Sequence, residues 1–132
     1  MLTRLKYLTL FVTDQDRAIA FYTSALGFER RADNPAPGGA GRFVTMGLPG
    51  QELQVVLWTG SPGKARQPPG RHVPGACIIE TDDCRKDFEA LRARGVSFEG
   101  GEVFEEPWAL VAILADPDGN RIMLHQTRQA SR

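Results

Sequence analysis

Apolar and polar residues alternate with a period of two along much of this chain. In residues 7–12, Leu8, Leu10 and Val12 take one side, and Tyr7, Thr9 and Phe11 the other, which predicts a strand. Residues 52–58 repeat the pattern, with Leu53, Val55 and Leu57 opposing Gln54, Val56 and Trp58. Near the end, Ile122 and Leu124 oppose Arg121, Met123 and His125. Further strands are expected at 28–32, 42–47, 76–80, within 96–103, and at 108–115. The period lengthens to helical spacing at Ala18, Phe21, Tyr22 and Ala25, and again at Phe88 and Leu91. Thr13 and Asp14 offer an N-cap to the first helix, Asp82 and Asp83 to the second. Gly27 and Gly95 suit the residue just past each helix.

Breakers divide this pattern. Residues 33–41, rich in Pro and Gly, read as a mobile loop, and 60–75 as a linker between halves. Asp116-Pro-Asp-Gly-Asn120 is turn chemistry before the last strand. The second half repeats the order of the first at a fixed offset. Asp14 and Asp83 each start a helix, and 83 − 14 = 69. Ile19 and Phe88, and the turn residues Gly50 and Gly119, are also 69 apart. An offset shared by several kinds of element indicates duplication. Each half reads as strand, helix and three strands: module one about 4–59, linker 60–75, module two about 76–126, and a polar tail 127–132.

Composition narrows the function classes. A chain of 132 residues with 42% hydrophobic and 24% charged content suits one domain with a real core. Sixteen basic residues balance sixteen acidic ones, so neither nucleic acid nor a membrane surface is an expected partner. There is no run of about eighteen apolar residues and no apolar core of a signal peptide, so the expected location is the cytoplasm. Cys77 and Cys84 do not make a disulfide framework.

Several motifs carry a family resemblance. Phe11-Val-Thr-Asp14 precedes a helix, Ala20-Phe-Tyr22 is followed by Leu26-Gly-Phe28, and Asp116-Pro-Asp-Gly-Asn120 precedes the closing strand. Pro107-Trp108 stands before the penultimate strand. With these, the chain resembles the vicinal oxygen chelate superfamily of glyoxalase I, bleomycin-resistance proteins and extradiol dioxygenases, from about residue 5 to 126. The resemblance implies an α+β fold: two tandem βαβββ modules forming curved mixed sheets around a cleft, with helices on the outer faces. It also implies a homodimer. One fold hosts several chemistries, so it implies no single reaction.

Metal-dependent members place a ligand at the start of each module's first strand and another in each module's last strand. Carried onto this chain, those positions are Tyr7 and Ala76, then Gln54 and Met123. Alanine cannot ligate, the methionine thioether is soft, and an amide is a weak donor without carboxylate help. A catalytic site needs about three protein ligands. The expectation is therefore no cofactor, with a divalent metal disfavoured.

What remains is a surface. Tyr7, Phe11, Val56, Trp58, Ile78 and Met123 are aromatic or apolar on the face expected to line the cleft, with Gln54, Thr9 and His125 as polar points. Such a face, with Trp58 or Trp108 available for stacking, suits a small, partly aromatic organic molecule. The alternative is that these side chains fill the cleft or pack at a dimer interface. An enzymatic alternative, a lyase, isomerase or dioxygenase with a non-standard site, would draw on His125 or on Glu80 as a buried base. For His125 the competing reading is a strand-end imidazole bonded to water; for Glu80 it is a solvated carboxylate. His72 and the linker cations Lys64, Arg66 and Arg71 read as solvated, with a lid over an anionic ligand as the alternative. Cys84 sits where a helix N-terminus lowers a thiol pKa, but reads as structural. Cys77 reads as core.

Overall fold

The computed structural model describes residues 1–36, 41–59 and 69–128. The chain forms two compact units, Met1–Lys64 and Ala65–Arg132. In the first unit the elements run β1 (Tyr7–Phe11), α1 (Gln15–Ser24), β2 (Glu29–Pro35), β3 (Arg42–Gly47) and β4 (Gln54–Trp58). In the second they run β5 (Cys77–Glu80), α2 (Cys84–Ala93), β6 (Phe104–Glu106), β7 (Ala109–Ala115) and β8 (Arg121–Thr127). Each unit is one four-stranded mixed sheet, ordered β1-β4-β3-β2 and β5-β8-β7-β6. The first strand of each pairs parallel to the last, and the other pairs are antiparallel. This is the expected α+β fold of two βαβββ modules.

The helices form where the caps place them. Asp14 accepts from the Arg17 amide and Asp83 from the Lys86 amide, each at 3.1 Å. Such a bond satisfies one of a helix's orphan donors. Ala18 and Tyr22 are the buried face of α1, which packs on β2, β3 and β4. Gln15 ties it down, donating from Nε2 to the carbonyls of Leu57 (2.9 Å) and Arg42 (2.8 Å). Phe88 and Leu91 do the packing for α2, which lies on β7 and β8. Beneath the helices the buried strand residues alternate as the pattern requires: Leu10, Val44, Met46 and Leu57 in one unit, Ala112, Leu114, Ile122 and Leu124 in the other.

Three local expectations are corrected. Strand β2 runs on to Pro35, into the stretch read as a loop, because Arg42 of β3 grips Asp33 at 3.0 and 2.6 Å. That guanidinium holds the Asp33 carboxyl below the usual range. Of that expected loop, residues 37–40 lie outside the described residues. No strand spans 96–103. Gly100 and Gly101 take φ of 66° and 64°, a short 3-10 turn covers Glu99–Gly101, and the strand begins at Phe104. The left-handed pair breaks extended pairing there, and glycine alone adopts it without strain.

The third concerns the linker. Lys64 and Arg66 lie outside the described residues, but 70–74 is bound to the second sheet. Arg121, 4% exposed, donates to the carbonyls of Gly70 (2.9 Å), Val73 (3.0 Å) and Pro74 (3.2 Å), and forms a two-pronged ion pair with Glu99. A side chain on Gly75 would meet the Arg121 carbonyl at 2.5 Å, so the chain passes β8 only as glycine.

The turn before β8 is built as its sequence suggests. Asp116, buried, accepts from the amides of Asp118 (2.9 Å) and Asn120 (2.8 Å) and from the Asn120 side chain (2.9 Å). The Gly119 amide closes the turn on the Asp116 carbonyl at 2.9 Å, with φ of 82° at the glycine.

Candidate functional site

On the second sheet, strand parity puts Ile78, Met123 and His125 on one face with Ala109, Val111 and Ile113. Ala109, Val111, Ile113 and Met123 form a buried apolar cluster, with Phe104 packed against it. A concavity of about 220 Å³ opens over this face. Its floor is Ile78, Ala109, Val111 and Met123, and its rim carries Trp108, Arg71, His72, Glu106 and His125. Ile78 is 52% exposed and Trp108 65%, unusual for such large apolar groups on a sheet that has a buried core.

The polar rim is largely self-neutralised. Arg71 donates to Glu106 at 2.8 Å and to the Glu105 carbonyl at 3.1 Å, and lies 5.1 Å over the Phe104 ring. His72 Nδ1 stands 3.9 Å from the same Glu106 carboxylate. By contrast, the half-buried His125 imidazole has no hydrogen-bond partner among the described residues. An apolar floor with one uncommitted heteroaromatic donor or acceptor fits a small organic ligand better than a bare ion.

Four of the residues expected from sequence, Ile78, Trp108, Met123 and His125, thus line one pocket. Sequence reading missed Glu106, Ala109 and Val111, and took Arg71 and His72 as solvated linker residues with a lid as the alternative. The two alanine and valine positions were legible, since alternation back from Ile113 gives them the parity of Met123. Arg71 and Glu106 were not, because only the folded chain brings 70–74 against the strands on either side of this face. Glu80 stands opposite His125 in register but is exposed, so it lacks the burial that a buried-base role requires. Cys84 lies in the first turn of α2, yet burial pushes its thiol up to about 11, with Asp87 adding to the effect. Burial does the same to Cys77, again to about 11. A raised pKa disfavours the thiolate, the form in which a cysteine acts as a nucleophile.

The remaining expected residues belong to the first sheet. Tyr7, exposed, packs edge-on to Phe43 with ring centroids 5.7 Å apart. Val56 is buried, while Phe11, Gln54 and Trp58 are half-buried. Gln54 lines a separate concavity of about 450 Å³ with Arg4, Lys6 and Arg31.

Register alters one equivalence between the halves. Thr9 faces Val56, and Ile78 faces Met123. For the first strands 78 − 9 = 69, as for the helices, but for the last strands 123 − 56 = 67. Thr45 opposes Val56 and Ile113 opposes Met123, an offset of 68. The second half loses one residue before its third strand and one in the closing turn. Met123 is therefore the counterpart of Val56, not of Gln54, whose counterpart is Arg121. The glycine match misled: Gly50 is the third residue of a turn closed by Gln51 on Leu48, whereas Gly119 is the fourth residue of its own. The last-strand positions that the resemblance assigns to metal ligands are thus Val56 and Met123, beside Tyr7 and Ala76 on the first strands. Neither valine nor alanine has a donor, so this set does not fit a divalent ion.

The whole-chain comparisons agree with the fold. The model of the Glyoxalase/Bleomycin resistance protein/Dioxygenase superfamily matches residues 4–124, and the chain belongs to that superfamily. It is 32% identical to lactoylglutathione lyase of Salmonella typhimurium over 133 residues, 98% of this chain and 96% of the lyase. Among solved structures it resembles TnmS3, an antibiotic binding protein from Streptomyces sp. CB03234, with a TM-score of 0.77 and 30% identity, covering 96% of this chain and 98% of TnmS3. A superfamily member from Sphaerobacter thermophilus gives a TM-score of 0.79 and 32% identity, over 95% of this chain and 98% of that one.

Proposed function

We propose that this chain binds a small, partly aromatic organic molecule in the second-sheet pocket, without a metal at the superfamily's usual positions. The observation that carries this reading is the half-buried His125 imidazole, unpartnered among the described residues, over an apolar floor of Ile78, Val111 and Met123. Exposed Trp108 offers a face for stacking. The likeness to TnmS3, described as an antibiotic binding protein, supports the same kind of activity. The donor set Tyr7, Val56, Ala76 and Met123 supports the metal-free part, and among the described residues no group of three or more His, Cys, Asp or Glu could hold an ion.

Calorimetric titration with 1-naphthol, a neutral bicyclic phenol, tests the reading. Saturable binding should weaken about tenfold in His125→Leu, the loss of roughly one hydrogen bond. Linear heats, or equal affinity in the folded variant, would overturn it. Metal content measured on protein purified without chelator tests the other half. A stoichiometric transition metal whose removal abolished binding would sink the metal-free reading.

The 32% identity to lactoylglutathione lyase favours a second reading, an enzyme using a non-standard site. Turnover of lactoylglutathione that His125→Leu abolishes would establish it. The proposal also includes a homodimer in the cytoplasm. Exposed Leu8 lies on β1, the edge strand of its sheet, where a second copy could cover it. Light scattering on the purified chain reads the oligomer directly. No helix among the described residues is long and apolar enough to cross a membrane.

A further inference from the structure

We infer that the first unit carries an anion subsite, for a ligand bearing a carboxylate or phosphate group, built from Arg31, Lys6 and Gln54. These three line the concavity of about 450 Å³ at the start of β1 and β4, together with Arg4 and Glu52. Arg31 is fixed rather than waving. It donates from Nη1 to the Gln51 carbonyl at 2.7 Å and from Nη2 to the Leu48 carbonyl at 2.6 Å. Its guanidinium lies against Gly47, where a Cβ would stand 3.0 Å from the Arg31 Cζ, so glycine leaves the room it occupies. Each terminal nitrogen keeps a second N–H beyond those two bonds, a donor held in place for an oxyanion.

The neighbours supply uncommitted polar groups. Lys6 Nζ rests 5.2 Å over the Tyr7 ring and has no carboxylate partner among the described residues. The Gln54 backbone is pinned to the Lys6 carbonyl at 3.1 Å, while its side-chain amide makes no bond among the described residues. The carboxylates nearby are accounted for. Glu52 is paired with Arg4, and Glu29 stands 3.6 Å from Arg31 Nε. Three cations and one carboxylate therefore line the concavity; Glu52 pairs with Arg4 and Glu29 with Arg31, which leaves Lys6 as the cation without a carboxylate partner among the described residues.

The test is a nuclear magnetic resonance titration of the full chain with sodium phosphate, and separately with sodium acetate, at constant chloride. The subsite requires saturable shifts from at least one anion at the Lys6 amide, the Arg31 Nε–H and the Gln54 side-chain amide. For that anion, Lys6→Gln should weaken the midpoint about two- to fivefold, the scale of one exposed charge. Glu52→Gln should tighten it by a similar factor. Both residues are exposed and neither side chain holds the turn, so the result does not depend on Arg31 variants that lose the Leu48 and Gln51 bonds. Linear shifts with both anions, or a midpoint unchanged in either variant, would overturn the assignment. None of these outcomes depends on 1-naphthol binding to the other unit.

Discussion

At the residue scale, the sharpest anomaly is Thr45. It sits mid-strand in β3 opposite Val56, is fully buried, and its hydroxyl has no hydrogen-bond partner among the described residues. A buried polar atom left unpaired retains its desolvation cost. The register counterpart in the second half is Ile113, also fully buried and purely aliphatic, so the scaffold accepts a branched hydrocarbon there. Thr45→Val keeps the shape and removes the orphan. It should raise unfolding stability by about 1 kcal/mol, read as a higher urea midpoint at unchanged slope. A lower midpoint would mean that the hydroxyl is satisfied in solution. Sequence could place Thr45 on the face of Val56, but it could not show burial, which arises from three-dimensional packing.

At the element scale, the segment before β5 matters more than its composition suggests. Four prolines and four glycines in 60–75 read as a spacer, yet residues 70–74 are fastened to β8 by one guanidinium. The reason was illegible because alternation shows only that Arg121 shares a face with Met123. Only the fold brings Glu99 and three carbonyls to it. The helices, by contrast, were legible throughout, since caps and a 3.6-residue period are local signals. The Arg121 hydrogen bonds hold the Glu99 carboxyl below its usual range, against the opposing push of burial. A carboxylate depressed in the folded state adds stability above its unfolded pKa, and that stability is lost as pH falls through the folded value. Acid unfolding of the wild type should therefore steepen below about pH 4, and Glu99→Gln should flatten that limb. Arg121→Met should cost about 3–5 kcal/mol at pH 7, because it leaves a partly buried carboxylate and three carbonyls without their partner. Denaturant unfolding at pH 7 and pH 3 measures both.

At the scale of the whole molecule, duplication explains what could be read and what could not. The motifs around Phe11, Phe21 and Asp116 fixed the superfamily because they are turn and cap chemistry that the fold needs in any member. The site was half legible: alternation found Ile78, Met123 and His125, but a constant offset misassigned the partner of Met123 by two residues, one lost in each of two loops. The pocket's other half, Arg71 and His72, belongs to the segment that Arg121 clamps to β8 and that Arg71 itself ties to β6, so binding and clamp should be coupled. If loosening 70–74 empties the rim part of the time, apparent affinity falls by the fraction still docked. Glu99→Gln at pH 7 removes the charge that seats Arg121 while leaving β8 and the apolar floor in place. It should weaken 1-naphthol binding about three- to tenfold, as expected if 70–74 is docked for only about a tenth to a third of the time. Hydrogen exchange should speed up at the Val73 amide, which bonds Gly70, and at the Ala76 amide, which bonds Arg121, with α2 unchanged. Weaker binding without faster exchange would place Glu99 against the ligand itself, and faster exchange with unchanged binding would show that the rim contributes nothing and that the floor and His125 suffice.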